Sequence, residues 1–206
     1  MTTSPTPLRL GFLASHGGSN LQAILDAVKE GRLPAEVGVV ISNNSQSRAL
    51  ERARVFGAPA LHISGASEGS PEEADAAIAG ALRSHGANLV VLAGYMRKIG
   101  PRVLAAYPRR IVNVHPALLP RHGGEGMYGL HVHEAVLAAG DRETGVTVHL
   151  VDDVYDHGTT LAQASVPVEP GDTPETLQAR VLKTEHRLYP ETLRRIAAGE
   201  IDLDAK

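Results

Sequence analysis

Cysteine is absent from this chain of 206 residues, and other features are missing as well. Without cysteine there is no disulfide and no thiol catalysis, and we expect a reducing compartment, the cytoplasm. The first seven residues are polar and no long apolar window follows them, which predicts neither a signal peptide nor a membrane span. The formal net charge is −3, so there is no basic footprint of the kind that binds nucleic acid.

The remaining composition is that of a packed α/β protein. Hydrophobic residues make up 43% of the chain, and its length suits one domain with an ample core. Short apolar runs alternate with segments of helical periodicity. The predicted strands are 8–14, 37–41, 60–63, 88–93 and 111–115, and the predicted helices are 21–30, a segment ending near 56, 71–84 and 101–107. This alternation is typical of a doubly wound, mostly parallel sheet with right-handed crossovers.

The second half of the sequence departs from that alternation. A glycine-rich stretch at 121–130 is followed by a predicted helix at 132–139. The predicted strands 146–151 and 161–168 are separated by a loop too short for a helix, so we expect them to pair antiparallel. A last helix is predicted up to residue 198, and the Gly/Ser stretch 64–70 is predicted to be a loop. Since we find no repeat or linker, a single domain over residues 1–206 is the economical interpretation.

The most informative segment is 111–120, which reads IVNVHPALLP. A β-branched strand ends there in Asn113 and His115, at the carboxyl end where open α/β sheets bind ligands. Histidine titrates near neutral pH, and the asparagine amide can bind an oxyanion. A strand-end histidine without chemistry is the alternative.

A second segment, SHGGSN at 15–20, lies between a predicted strand and a predicted helix. Backbone N–H groups at a glycine-containing turn and the helix dipole together make an anion site. The segment has no lysine of a Walker loop and is no G-x-G-x-x-G motif. An ordinary turn with a Ser or Asn cap remains the alternative.

Two further loops carry candidate residues. In AGYMRKI, residues 93–99, Gly94 would let a flat ligand approach and Tyr95 with Met96 would supply apolar walls; the alternative is a loop with an exposed Arg-Lys pair. In DDVYDHGTT, residues 152–160, Asp156 precedes His157-Gly158, which suggests a tight turn that aims a side chain. An aspartate beside a histidine raises the pKa of that histidine and fixes its tautomer. We interpret Asp152 and Asp153 as a solvated acidic turn.

Ten histidines are many for this length, which raises the question of a metal site. The pair His131 and His133, together with His149 on a nearby strand, could be metal ligands. A third ligand at a convincing spacing from the pair is not visible in the sequence. The alternative is that His131 closes the loop and His133 caps the start of a helix, and we predict no metal. Glu185 and His186 would, by pattern alone, lie on a solvated helical face.

Taken in order, these segments resemble the glycinamide ribonucleotide formyltransferase family of folate-dependent enzymes over nearly the whole chain. The matching strings are GSNL at 18–21, LAGYMR at 92–97, NVHPALLP at 113–120, GLHVH at 129–133, GVTVH at 145–149, LAQASVPV at 161–168 and TEHRLYP at 184–190. The N-x-H-P-x-L-L-P string is specific for folate formyl-transfer domains in general. The G-S-N turn together with the last string points to the glycinamide ribonucleotide branch.

The resemblance implies a Rossmann-like formyltransferase fold, formyl transfer from 10-formyltetrahydrofolate to glycinamide ribonucleotide, and a monomer or weak homodimer. The residue roles that it implies fall into three groups. The ribonucleotide would be held by Gly18, Ser19, Asn20 and Glu185, the pterin by Met96, Arg97, Lys98 and Ile99 together with Asn113, and the reaction would be carried by Asn113, His115 and Asp156. The N-terminal half would then bind the ribonucleotide, and the C-terminal half would bind folate and carry the catalytic groups.

The sequence also departs from the family pattern. Ala117 replaces the usual serine of H-P-S-L-L-P, and His16-Gly17 stands where Gly-Asn is common. The string Asp-His-Gly-Thr at 156–159 replaces Asp-x-Gly-Pro, and the loop 121–128 is longer than in many members. The family's folate-contacting arginine has no counterpart, since Pro-Glu-Glu occupies 71–73. These differences concern the contacts with the folate tail and remove no catalytic group.

The resemblance implies a mechanism in which Asn113 and protonated His115 donate hydrogen bonds to a tetrahedral oxyanion. Asp156 would keep His115 cationic and collect the amine proton through water. Since the amine must be neutral to attack, activity should fall in acid. Three other functions stay open: a formyl-folate hydrolase with the same residues, a metal-dependent hydrolase built on His115, His131, His133 and Asp156, and a non-catalytic nucleotide-binding module. A tRNA formyltransferase, which needs an added basic domain, is discounted.

Overall fold

A computed structural model describes residues 7–205, so residues 1–6 of the segment in which we expected no signal peptide lie outside the described part. The strands are β1 (Leu8–Ala14), β2 (Ala35–Ser42), β3 (Ala60–His62), β4 (Leu89–Leu92), β5 (Ile111–His115), β6 (Glu143–Leu150) and β7 (Thr160–Pro167). The helices are α1 (Ser19–Lys29), α2 (Arg48–Phe56), α3 (Gly65–Glu68), α4 (Pro71–Ser84), α5 (Pro101–Ala106), α6 (Leu130–Ala138) and α7 (Pro174–Ala197).

One seven-stranded sheet with the order β3-β2-β1-β4-β5-β6-β7 organises the chain. The five N-terminal strands pair parallel with one another, while β6 pairs antiparallel with both β5 and β7. The predicted doubly wound, mostly parallel sheet with antiparallel C-terminal strands is confirmed. The strand order reverses between β1 and β4, and the carboxyl ends at such a reversal form the usual ligand crevice of an open α/β sheet.

Apolar side chains that alternate along the strands pack into two hydrophobic cores, one on each face of the sheet. On one face, Phe12 and Val91 pack with residues of α1 and α7, and on the other face Leu13 and Val90 pack with residues of α4 and α5. At Gly11, β1 approaches α4 so closely that a Cβ atom there would collide with a methyl group of Leu82.

Helix starts follow their capping residues. Ser47 accepts a hydrogen bond from the N–H of Leu50, and Ser70 accepts one from Glu73 with Pro71 in the first turn. Such caps are worth about 1 kcal/mol each. The prediction of a loop over 64–70 was wrong in part, because Ser64 and Ser67 form a reciprocal capping box that starts the short helix α3.

Candidate active site

Three side chains predicted to act together do lie together. Asn113 and His115 are carried by the carboxyl end of β5, and Asp156 lies in the segment between β6 and β7. The Nδ1 atom of His115 is 3.4 Å from Oδ2 of Asp156. His115 is buried and the side chain of Asp156 is 11% exposed, so their interaction is little screened by water. The geometry brings an amide, an imidazole and a carboxylate to one point.

His149 completes this cluster, although the sequence suggested it only as a metal ligand. It lies on β6 directly opposite Asn113. Its Nε2 atom is 3.2 Å from Nδ2 of Asn113 and 3.5 Å from Oδ1 of Asp156. Its Nδ1 atom lies 2.8 Å from the carbonyl oxygen of Leu150, which fixes the ring. The signal for this role is the antiparallel register of β5 and β6, which the sequence does not specify.

The Asp156 segment has the tight turn that we predicted, but a different histidine partner. Asp156 has a φ of 54°, in the left-handed region that non-glycine residues seldom adopt. Its Oδ2 atom accepts a 3.0 Å hydrogen bond from the backbone N–H of Gly124. His157 is exposed and contacts Asp152, so the prediction that Asp156 acts on its neighbour is wrong. Asp153 is exposed, as expected of a solvated turn.

The charges of the cluster follow from burial. Burial lowers the pKa of His115, and this outweighs the opposing effects of Asp156 and of the His122 carbonyl. Burial raises the pKa of Asp156, but the hydrogen bond with His149, the charge of His115 and the Gly124 N–H prevail and lower it overall. The two shifts favour an ionised Asp156 beside a neutral His115. The expectation that Asp156 keeps His115 protonated stays a prediction, which the burial of the ring opposes.

The predicted phosphate turn stands at the start of α1. Gly18 has a φ of 65°, and a Cβ there would lie 2.9 Å from the Cβ of Ala49, so the position requires glycine on both counts. No side chain caps α1, which leaves its first N–H groups to an anion. Ser19 and Asn20 form the first turn.

Glu185 is not on a solvated face, because it is 8% exposed. Its Oε2 atom accepts a 2.5 Å hydrogen bond from Nδ2 of Asn20, which joins α7 to the phosphate turn. Burial raises the pKa of Glu185, and Asn20 opposes this. The Oδ1 atom of Asn20 is buried without a hydrogen-bond partner. A ligand hydroxyl could satisfy that atom.

The loop after β4 is held by Ser15, a residue without a predicted role. The hydroxyl of Ser15 accepts a 2.8 Å hydrogen bond from the backbone N–H of Met96 and donates one of 2.6 Å to Asn43. The ammonium group of Lys98 lies 5.6 Å from the ring centre of Tyr155. Ile99 is buried in the core.

A cleft of about 740 Å³ joins these parts. It is lined by the predicted phosphate turn, the β4 exit, the predicted catalytic residues and α7, including Gly18, Ser19, Asn20, Met96, Arg97, Asn113, His115, Asp156 and Glu185. A neighbouring cavity of about 890 Å³ is lined by Lys98 and Ile99 and shares Tyr95 and Arg97 with the cleft. Of the four residues predicted to meet the pterin, Met96 thus lines the cleft, Arg97 lines both spaces, and Lys98 and Ile99 line the neighbouring cavity.

The histidines do not assemble as the metal hypothesis requires. Within residues 7–205, no group of three or more His, Cys, Asp or Glu residues is placed to hold a metal ion. His131 is exposed and pairs with Glu134, while His133 is buried. Both lie inside α6, which begins at Leu130, so the interpretation of His133 as a helix cap was also wrong.

No helix among the described residues is long and apolar enough to cross a membrane.

Comparison with known proteins agrees with this geometry. The formyl transferase family model matches residues 8–193. Phosphoribosylglycinamide formyltransferase of Escherichia coli K12 is 38% identical over 95% of this chain and 90% of its own length. The chloroplastic enzyme of that name from Arabidopsis thaliana is 41% identical over 96% of this chain and 68% of its own length.

A solved structure gives the same result. The crystal structure of glycinamide ribonucleotide transformylase 1 from Symbiobacterium toebii superposes with a TM-score of 0.89 at 45% identity, covering 97% of this chain and 92% of that one. Residues 8–193, which the family model matches, include both the predicted phosphate turn and the predicted catalytic residues. The chain therefore belongs to the formyl transferase family, among the phosphoribosylglycinamide formyltransferases.

Proposed function

We propose that this chain transfers the formyl group of 10-formyltetrahydrofolate to the amine of 5′-phosphoribosylglycinamide in de novo purine biosynthesis. The products are the N-formyl ribonucleotide and tetrahydrofolate. The observation that carries the proposal is that a single cleft holds both a phosphate turn and the Asn113–His115–Asp156 cluster. The two substrates can therefore be held side by side, and such positioning supplies much of the acceleration of a two-substrate reaction.

The ribonucleotide binds at the α1 end of the cleft. Backbone N–H groups of Gly18, Ser19 and Asn20 hold the phosphate, helped by the positive end of the helix dipole. The carboxylate of Glu185 accepts hydrogen bonds from the ribose hydroxyls. The unpartnered Oδ1 atom of Asn20 fits a hydroxyl donor at the same place.

The folate co-substrate binds at the β4 and β5 exits. Met96, Arg97, Lys98 and Ile99 contact the pterin largely through the backbone, which the Ser15 hydroxyl holds at Met96. With the pterin bound there, the formyl group would lie beside Asn113. The residues present fit a flat ligand, since Gly94 has open space where a side chain would stand.

The catalytic groups divide the work according to their charges. Nδ2 of Asn113 donates a hydrogen bond to the oxyanion that forms when the amine attacks the formyl carbon. His115 is neutral before the reaction, so it accepts the proton that the attacking amine loses. The imidazolium is then compensated by ionised Asp156 and stabilises the oxyanion. The lowered pKa of Asp156 makes its carboxylate a weaker base than the imidazole of His115. We therefore propose that His115, and not Asp156 as first expected, collects the amine proton.

The atoms balance without a further reactant. The amine nitrogen bonds to the formyl carbon, the bond from that carbon to N10 of the folate breaks, and His115 passes the proton to N10. His115 thus begins and ends the cycle neutral. No metal takes part in this scheme.

An absorbance assay for loss of the formyl group tests the proposal. We expect deformylation of 10-formyltetrahydrofolate to depend on added glycinamide ribonucleotide and to yield its N-formyl derivative. Rapid release of formate in the absence of any amine would instead establish the hydrolase. Unchanged turnover after treatment with a chelator, with metal analysis of the purified protein, separates the proposal from a metal-dependent hydrolase.

We further propose that residues 1–206 act as one formyltransferase domain, as a monomer or weak homodimer in the cytoplasm. A single sheet that spans the described residues supports the first point. The ribonucleotide contacts of the N-terminal half are completed by Glu185 of α7, so the two halves act as one unit. The lack of cysteine fits a reducing compartment.

A further inference from the structure

The backbone at His122 has an unusual conformation next to the catalytic cluster. Its φ is 53°, and within residues 7–205 only Arg109 and Asp156 are other non-glycine residues with positive φ. Such a conformation is strained for a residue with a side chain and persists only when the surroundings enforce it. Two of these three residues contact His115, so the strain is concentrated at the catalytic imidazole.

The carbonyl of His122 determines where His115 carries its hydrogen. Nε2 of His115 lies 2.7 Å from that carbonyl oxygen, which can only accept a hydrogen bond. In neutral His115 the hydrogen is therefore on Nε2, and the lone pair is on Nδ1. Nδ1 faces the carboxylate of Asp156 at 3.4 Å, a distance that is long for a charge-assisted hydrogen bond. A proton taken up at Nδ1 would therefore lie against the carboxylate of Asp156.

The side chain of His122 holds its backbone in place. Its Nε2 atom lies 2.7 Å from Oδ2 of Asp141, just beyond the end of α6, and the guanidinium of Arg121 bonds to the other oxygen of the same carboxylate. The hydrogen bond with His122 is the largest of the effects that lower the pKa of Asp141. The ring thus ties the loop to the segment after α6, while the carbonyl of the same residue bonds to His115.

The same loop also holds Asp156. The Gly124 N–H donates to Oδ2 of Asp156, and a Cβ at Gly123 would lie 2.4 Å from a Leu119 methyl and 3.2 Å from the Cβ of Asp156. Residues 122–124 therefore contact both partners of the catalytic pair. A displacement of this segment would change the His115 tautomer and the Asp156 orientation together.

We infer that His122 is a positioning residue, anchored by Asp141, whose carbonyl commits Nε2 of His115 as a donor and so reserves Nδ1 for the proton of the attacking amine. The role of Nδ1 depends on the proposed function. The tautomer and its dependence on the His122 ring do not, because they are properties of the free protein.

The test compares His122→Ala and Asp141→Ala with Glu125→Ala, which alters an exposed side chain of the same loop. Long-range proton–nitrogen NMR of the imidazoles at pH 8 identifies the protonated nitrogen, with His115 assigned by comparison with His115→Asn. For the unaltered protein and Glu125→Ala we expect hydrogen on Nε2 alone. For the two anchor variants we expect a mixture of tautomers and a kcat lowered about tenfold, with the KM of each substrate changed less than twofold.

Melting temperatures establish that each variant is folded. If His122→Ala does not fold, Asp141→Ala alone provides the test. Hydrogen on Nδ1 of His115 in the unaltered protein would overturn the inference. So would anchor variants that keep both the single tautomer and the kcat. If the unaltered protein showed the expected tautomer but released formate without any amine, the proposed function would fail while the role of His122 in setting the tautomer would stand.

Discussion

Asn20 and Glu185, which are 165 residues apart in the chain, are joined by a 2.5 Å hydrogen bond from the amide of one to the carboxylate of the other. The bond connects the first turn of α1 with the middle of α7. It orients both side chains toward the part of the cleft assigned to the ribonucleotide.

The first prediction follows from this contact. Glu185→Gln should raise the KM for glycinamide ribonucleotide about tenfold or more, because hydrogen bonds to a charged group are worth about 1.5–3 kcal/mol. The KM for folate should not change. Glu191→Gln, on the exposed side of the same helix, is the matched control and should leave both constants unchanged. A change in the folate KM alone would remove Glu185 from the ribonucleotide site.

Asp156→Asn tests the charge compensation at His115. The variant keeps the shape of the side chain but loses the carboxylate that stabilises the imidazolium, so kcat should fall by about two orders of magnitude or more. Steady-state kinetics with both substrates saturating measure the effect. Asp153→Asn, in the same loop and exposed, should retain normal turnover. Near-normal turnover in the Asp156 variant would contradict its assigned role.

Asn113→Ala removes the proposed donor to the oxyanion. We expect kcat to fall by about 10²–10³, the usual effect of deleting one such donor, with smaller effects on KM. Since Nδ2 of Asn113 also lies 3.2 Å from Nε2 of His149, circular dichroism and the melting temperature should be compared with those of the unaltered protein. A loss seen only in KM would place Asn113 in substrate binding rather than in the chemical step.

Stability should fall in acid because of a buried histidine. Burial lowers the pKa of His133 to about 4, so the unfolded chain binds a proton that the folded chain does not over the range from about pH 6.5 down to about pH 4. The contribution is fully present above pH 6.5 and is lost as the pH falls, by up to about 3 kcal/mol.

Urea unfolding at pH 7 and pH 4.5 measures this loss. His133→Leu should be less sensitive to the change of pH than the unaltered protein. His131→Leu alters the exposed histidine of the same helix and should keep the full sensitivity. Equal pH dependence in all three proteins would show that His133 does not cause the loss.

A glycine in the middle of α4 offers a gain in stability. A Cβ at Gly80 would meet no atom within 4 Å, and the residue is helical, so Gly80→Ala should stabilise the protein by about 1 kcal/mol. Gly11→Ala is the opposite case, because its Cβ would collide with Leu82. Thermal unfolding should move the two midpoints in opposite directions, and a lower midpoint for Gly80→Ala would refute the prediction.

The sequence predicted the order of elements apart from α3, because short apolar runs alternate with segments of helical periodicity. The side chains at the strand exits were also predictable, since Asn113 and His115 follow a β-branched run. Contacts that depend on the register between strands were not predictable from the sequence. His149 meets Asn113 because β6 runs antiparallel to β5 in one specific alignment, which nothing in the local pattern determines.

The contacts that backbone groups make with the site could not be predicted either. The carbonyl of His122 and the N–H of Gly124 act on the site without using their side chains, so residue type gave no indication of them. The burial of Glu185 depends on how α7 packs against α1. Its helical pattern alone indicated solvent.

The Asn20–Glu185 bond also has a consequence for synthesis on the ribosome. Asn20 leaves the exit tunnel while most of the polypeptide has still to be translated, whereas Glu185 emerges late. On the proposed assignment of Glu185, a nascent chain therefore lacks this contact with the ribose until translation has passed α7. A stalled or prematurely terminated product that lacks α7 would accordingly be unable to capture and sequester the ribonucleotide from intact copies of the enzyme.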